Sequence, residues 1–336
     1  VATETGAAAA HFHRVCIYGA GAIGGWIGSG LARAGCNVSV VARGATLDAL
    51  QLHGLRLHQG GRVTSQAVAS SAAPTDLGVQ DLVVLAVKAP SLPEVVRQMA
   101  PLMGPNTMVL TAMNGVPWWF LQGFGGMLAG QRLTSVDPTG ALAQAIEGQH
   151  IIGCVVHASC SLDGPGLVRH HFGNKLILGE PSGKKTARVQ QLAALLGKAG
   201  FEAPVSDQIQ KDIWFKLWGN MSVNPISALT GATTDRILGD ELVRGFISSV
   251  MLEAKEIGAR IGIPIDQQPE DRHQVTRKLG AFKTSMLQDV EAGKAVELDA
   301  LVTVVKELGE LTKVPTPFTD ALLGLARLHA SVRGLY

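Results

Sequence analysis

From Arg14 onward, short unbroken apolar runs alternate with stretches in which apolar residues recur every three or four positions. Residues 15–18, 37–41, 82–87 and 108–112 are runs of the first kind. Their near-continuous apolar character predicts strands buried on both faces of a parallel sheet. Residues 23–34 and 94–99 have helical spacing, and Ser91 and Glu94 stand at the distance of a capping box opening the latter. Strand and helix in alternation predict a doubly wound α/β domain. Over residues 151–179 the texture changes: two strand-like runs flank Asp163-Gly164-Pro165-Gly166, a hairpin turn. A helix over 184–198 and a short strand over 201–205 complete this domain. From about Gln208 onward the periodicity is helical almost throughout. The expected division is a disordered leader at 1–11, an α/β domain at 12–207 and an all-α domain at 208–336.

Composition narrows the classes. With 336 residues the chain is long enough for two domains with sizeable cores. A formal net charge of +2 gives no bulk electrostatic reason to expect nucleic acid or an acidic partner. No apolar run approaches the ~20 residues that span a bilayer, so no membrane partner is expected. The opening ten residues lack a basic segment followed by an apolar one and do not read as a signal peptide. Cys16, Cys36, Cys154 and Cys160 form no CxxC pair, which points to a reducing compartment and a cytoplasmic protein. Cys154, His157 and Cys160 look like metal ligands only superficially. On a strand His157 faces away from the two cysteines, so no metal is expected.

The first chemical signal is Gly19-Ala20-Gly21-Ala22-Ile23-Gly24, a G-x-G-x-x-G between the first strand and the first helix. Glycine permits the tight turn, backbone approach to a pyrophosphate and close helix–strand packing. The helix N-terminus then offers free N–H groups to phosphate. The motif alone is weak, but its placement is that of a Rossmann dinucleotide site. The second strand ends in Arg43, where an NAD site carries an acid for the ribose 2′-hydroxyl. An arginine there suits a 2′-phosphate, so NADP is the expected cofactor, with Lys88 as a second cation. Two solvated surface charges are the plain alternative. Asn114, before Gly115, falls just past another predicted strand, where open α/β sheets bind ligands, although Asn-Gly is also a turn signal.

Later in the chain stands Lys216-Leu217-Trp218-Gly219-Asn220-Met221-Ser222-Val223-Asn224-Pro225. Lys216 and Asn220 share a helix face, and Asn224 would continue it, but the residue before proline resists helical angles. The helix is expected to end or kink there. A lysine in apolar surroundings is a plausible proton donor, while an amphipathic helix with a polar stripe is the plain reading. The last block runs Ser285-Met286-Leu287-Gln288-Asp289, with Glu297 beyond it. Ser285 and Gln288 have capping-box spacing, and Glu297 could merely complement a helix dipole.

Together these blocks resemble ketopantoate reductase, from about Arg14 to the C-terminal helices. The resemblance rests on the glycine motif, Lys88, Asn114, the K-x3-N-x3-N-P block and the S-M-x-Q-D block with a glutamate eleven residues beyond its Met. It implies a Rossmann domain joined to an all-α domain and NADPH-dependent reduction of a 2-oxo acid, ketopantoate to pantoate, in pantothenate biosynthesis. By the same resemblance Lys216 is the general acid, and Ser285 and Glu297 hold the substrate. Asn114, Asn220 and Asn224 orient substrate and nicotinamide, Asn114 and Glu297 being counted on the cofactor side too. A homodimer is the partner expectation. Two departures touch the substrate end. Phe282 stands where the family has a polar residue, often Asn, and Thr233-Thr234-Asp235 replaces an Asn-Gly-Glu-like opening. A β-hydroxyacid dehydrogenase would share the helical lysine and asparagine but not the Ser285–Glu297 block. A catalytically silent NADP sensor would need neither Lys216 nor Glu297.

Overall fold

A computed structural model describes residues 12–336, so the leader expected at 1–11 lies outside the described residues. The chain runs β1 (Arg14–Tyr18), α1 (Ala22–Arg33), β2 (Asn37–Val41), α2 (Gly44–His53), β3 (Leu55–Gln59), β4 (Arg62–Gln66), β5 (Ala69–Ser71), β6 (Leu82–Leu85), α3 (Leu92–Gln98) and β7 (Met108–Thr111). After the short α4 (Ala141–Ala145) come the long strands β8 (Ile151–Gly164) and β9 (Leu167–Gly179), then α5 (Ala187–Lys198). The remainder is helical: α6 (Ile209–Thr230), α7 (Thr234–Gly239), α8 (Glu241–Arg260), α9 (Pro269–Arg277), α10 (Ser285–Glu291), α11 (Val304–Thr312) and α12 (Pro317–Val332).

Two units result. The first holds the described residues as far as Val87 with Glu94–Met113 and Ala145–Ile209; the second holds Lys88–Pro93, Asn114–Gln144 and Gln210–Tyr336. In the first, nine strands form one sheet in the order β4-β3-β9-β8-β7-β6-β1-β2-β5. β1 pairs in parallel with both β2 and β6, which puts a topological switch point at its carboxyl end. The predicted strands pack as expected, with Val15, Ile17, Val38, Val40, Leu82, Val84 and Leu110 in one buried cluster with Trp26, Ile27 and Leu31 of α1. The mixed sheet and helical remainder give the predicted fold class.

Three local expectations are corrected. Residues 201–205 form no strand; only the bridges Lys175↔Glu202 and Leu178↔Val205 form there. Pro204 has no N–H to give a ladder. α6 does not end at Asn224 but runs through Pro225 to Thr230. Residues 221–228 are all buried, and packing on every side holds the helix where local preference would end it. The capping box of Ser91 and Glu94 does not form: a 3-10 turn (Ala89–Ser91) precedes α3, and Glu94 turns to Arg43 instead.

The second unit is organised around α6. Its tryptophans are core anchors, Trp214 Nε1 donating to the Ala254 carbonyl of α8 and Trp218 Nε1 to that of Met251. Trp118 and Trp119 are buried as well. All four cysteines are free thiols. Among the described residues no helix is long and apolar enough to cross a membrane, and no group of three His, Cys, Asp or Glu is placed to hold a metal.

Candidate active site

In the first unit the glycine motif forms the turn from β1 into α1. Gly19 has φ +103°, and a Cβ there would stand 2.8 Å from both the Ala86 carbonyl oxygen and Val87 Cγ1. Only glycine meets both constraints. Gly24 is forced by packing, because its Cβ would collide with the Gly19 carbonyl. Gly21 differs: it is the N-cap of α1 without a side-chain cap, and a Cβ there would meet nothing within 4 Å. Gly21, Ala22 and Ile23 therefore present uncapped N–H groups beside open space, a fit for a pyrophosphate that needs close backbone approach.

Arg43, just past β2, is exposed and donates to Glu94 Oε1 at 2.7 Å. Nearby, the Tyr18 hydroxyl lies 3.3 Å from Gln98 Oε1. A guanidinium at this strand end fits a 2′-phosphate by charge. Its present partner is an acid from a later helix, which sequence spacing did not reveal.

In the second unit Lys216 Nζ donates to Asn114 Oδ1 at 2.9 Å, joining two residues that the sequence separates by 102 positions. The backbone just past Asn114 is fixed. Gly115 has φ +81° and lies so close to Ala300 that a Cβ would stand 2.4 Å from its carbonyl oxygen. That same oxygen accepts from the Val116 N–H at 2.8 Å. Ala300 belongs to a π-helical turn (Asp299–Thr303), a geometry frequent at functional sites. Asn220 and Asn224 follow Lys216 at four-residue steps on α6, Asn224 buried and Asn220 partly so.

Glu297 is 5% exposed and stands directly before a helical segment. It accepts from the Ala89 N–H at 3.0 Å and from Lys88 Nζ at 3.3 Å. The Lys88 ammonium also lies 2.8 Å from Asp289 Oδ2. Burial pulls the Lys88 pKa down, but Glu297 and Asp289 together outweigh it and leave the pKa raised. Lys88, expected beside Arg43, is thus shared by two carboxylates of its own unit. Asp289 went unassigned in the sequence, though it closes the S-M-x-Q-D block. Ser285 is not a cap: Thr284 caps α10 by accepting from the Leu287 N–H. Gln288 donates to the Lys283 carbonyl. The exposed Ser285 hydroxyl is left outside the cap.

Comparison with known proteins places the chain among its relatives. The family model described as ketopantoate reductase PanE/ApbA matches residues 15–119, and its C-terminal counterpart matches residues 208–330. A 2-dehydropantoate 2-reductase of Mesorhizobium japonicum is 49% identical over 96% of this chain and 99% of its own. The crystal structure of a candidate ketopantoate reductase from Ralstonia solanacearum MolK2 superposes with a TM-score of 0.93 at 55% identity, covering 97% of this chain and all of that one. That of 2-dehydropantoate 2-reductase from Geobacter metallireducens GS-15 gives 0.83 at 26% identity, covering 94% and 99%. The chain is an oxidoreductase of a nicotinamide-dependent class. It belongs to the ketopantoate reductase family.

Proposed function

We propose that the chain reduces a small 2-oxo acid to the 2-hydroxy acid with NADPH, and that 2-dehydropantoate, the substrate in its Mesorhizobium relative's name, is converted to pantoate. The observation that carries this reading is the Lys216–Asn114 hydrogen bond, which aims an ammonium with two further amides behind it on the same helix. When bound, the dinucleotide supplies the hydride. Lys216 holds a proton at Nζ, and Asn114 Oδ1 fixes the direction in which the remaining N–H bonds point. As hydride reaches the carbonyl carbon, negative charge grows on the oxygen. An oriented ammonium stabilises that charge most in the transition state and then transfers its proton. Glu297, pinned by Ala89 and Lys88, presents a carboxylate to a substrate hydroxyl, and Ser285, Asn220 and Asn224 supply neutral hydrogen bonds. Residues 19–24 would hold the pyrophosphate. Arg43 would exchange Glu94 for the 2′-phosphate, a stronger anion. The reading extends to a cytoplasmic protein, as the cysteine pattern suggests, and to a homodimer.

The test is a panel of 2-oxo acids, 2-dehydropantoate included, followed by loss of nicotinamide absorbance with NADPH and with NADH. Turnover of 2-dehydropantoate with preference for NADPH is expected. Turnover of none of the panel with either coenzyme would overturn the reading.

A further inference from the structure

Arg272 lies on α9, partly buried, and its Nε is buried without a hydrogen-bond partner among the described residues. The acids beside it are engaged elsewhere. Glu270 pairs with Arg277 at 2.6 Å, and Asp271 accepts from the Gln268 N–H at 2.8 Å in a capping box. The guanidinium carbon sits 5.5 Å from the centroid of the Phe215 ring. The guanidinium is also set against Gly219, four residues beyond Phe215 on the same face of α6, where a Cβ would stand 2.6 Å from Nε and 2.9 Å from Nη2. The fork therefore occupies a notch that exists because residue 219 has no side chain. Gly219 follows Lys216 by three positions on α6, about 4.5 Å along the axis, and directly precedes Asn220.

A cation partly removed from water and paired with no carboxylate among the described residues carries an uncompensated cost, so an arginine in this setting ordinarily has a carboxylate or several carbonyls around it. The Phe215 ring recovers a small part of that cost. Burial also lowers the pKa of the guanidinium, in keeping with a charge lacking its counter-ion. A planar fork matches a carboxylate in two parallel hydrogen bonds. In a 2-oxo acid the carboxylate is bonded directly to the carbonyl carbon. Its anchor must then lie within a few ångströms of the group that protonates the carbonyl oxygen, and the notch beside Gly219 is one helical turn from that group.

We propose that Arg272 is the anchor for the substrate carboxylate, held by Phe215 and by the space that Gly219 leaves. This rests on the 2-oxo acid reading given above. It adds a specificity-determining residue from α9 to the amides of α6.

Arg272→Gln and Arg272→Lys are compared with the wild type in the NADPH complex, using 2-oxo-3-methylbutanoate and its methyl ester for turnover. Oxamate and its neutral counterpart oxamide serve for binding. Arg272→Gln should raise KM for the acid about thirtyfold to a hundredfold, with kcat near the wild-type value and the ester unaffected. Oxamate should weaken in proportion, oxamide should not, and Arg272→Lys should recover part of the loss. Equal effects on acid and ester, a fall in melting temperature with no such split, or a matching loss of NADPH affinity would each overturn the proposal, the last by giving the guanidinium to a cofactor phosphate. If the wild type reduces no 2-oxo acid, the functional reading falls. The oxamate–oxamide difference between wild type and Arg272→Gln still decides the anchor.

Discussion

Lys216 and Asn114 share a hydrogen bond of 2.9 Å, and the amide oxygen accepts it, so the lysine is positioned by a group that takes no proton away. The backbone that follows Asn114 is held in turn by the Gly115–Ala300 contact. Asn114→Ala should therefore lower kcat by about tenfold by loosening the lysine, and should leave coenzyme affinity near the wild-type value. Steady-state kinetics with a coenzyme titration checks this. A loss confined to KM would make Asn114 a substrate ligand alone.

Arg43 is charge-paired with Glu94 on an exposed surface, a pair worth roughly 0–1 kcal/mol. Arg43→Ala should lose about tenfold to a hundredfold in NADPH affinity while NADH is unchanged. Glu94→Gln frees the guanidinium and should tighten NADPH a few-fold, again without effect on NADH. Equal changes for both coenzymes in either variant would remove the pair from coenzyme choice.

The strands of the sheet's centre and the glycine turn are legible because buried parallel strands leave unbroken apolar runs and Gly19 and Gly24 admit no other residue type. The hairpin of β3 and β4 leaves a weaker mark in the sequence. Leu55 and Leu57 alternate with Arg56 and His58, and the run is short and half polar. Its sign was Gly60-Gly61, both at positive φ. In the site, the residues on α6 and α10 could be named from spacing, because a helix turns four-residue steps into one face. What joins them could not. The partners of Lys216, Arg43 and Lys88 are 102, 51 and about 200 positions away, and side-chain pairing at such distances leaves no periodic mark. The capping-box spacings misled for a related reason: Thr284, adjacent to Ser285, offers the same hydroxyl one residue earlier.

Glu297 presents a buried carboxylate that two donors already fix. Glu297→Gln keeps an acceptor oxygen for only one of those donors and should cost about 1–3 kcal/mol in kcat/KM for a substrate with a hydroxyl, with a smaller effect on a 2-oxo acid lacking one. Measuring both substrates in both proteins separates hydroxyl recognition from a general role. Equal loss on both would point to the latter.

His273 is buried on α9 with Ser248 Oγ 2.8 Å from Nε2. Burial lowers its pKa from 6.5; Glu270 opposes this, and Arg277 and Arg244 reinforce it. Above pH 6.5 folded and unfolded chains are both neutral at this ring. Below it the unfolded chain takes up the proton first, so folding stability should fall as pH drops beneath 6.5. Melting temperatures from about pH 7.5 to about pH 5.5 should fall less steeply in His273→Gln than in the wild type. Parallel curves would exclude His273 as a source of the dependence.

Whether Lys216 delivers the proton in a nicotinamide-dependent reduction is decided by one comparison. NADPH oxidation by 2-dehydropantoate is followed by absorbance in the wild type and in Lys216→Ala, with NADPH affinity measured in both by fluorescence. A kcat at least about a hundredfold lower in Lys216→Ala, with coenzyme affinity preserved, is expected. A variant that turns over at the wild-type rate would contradict it.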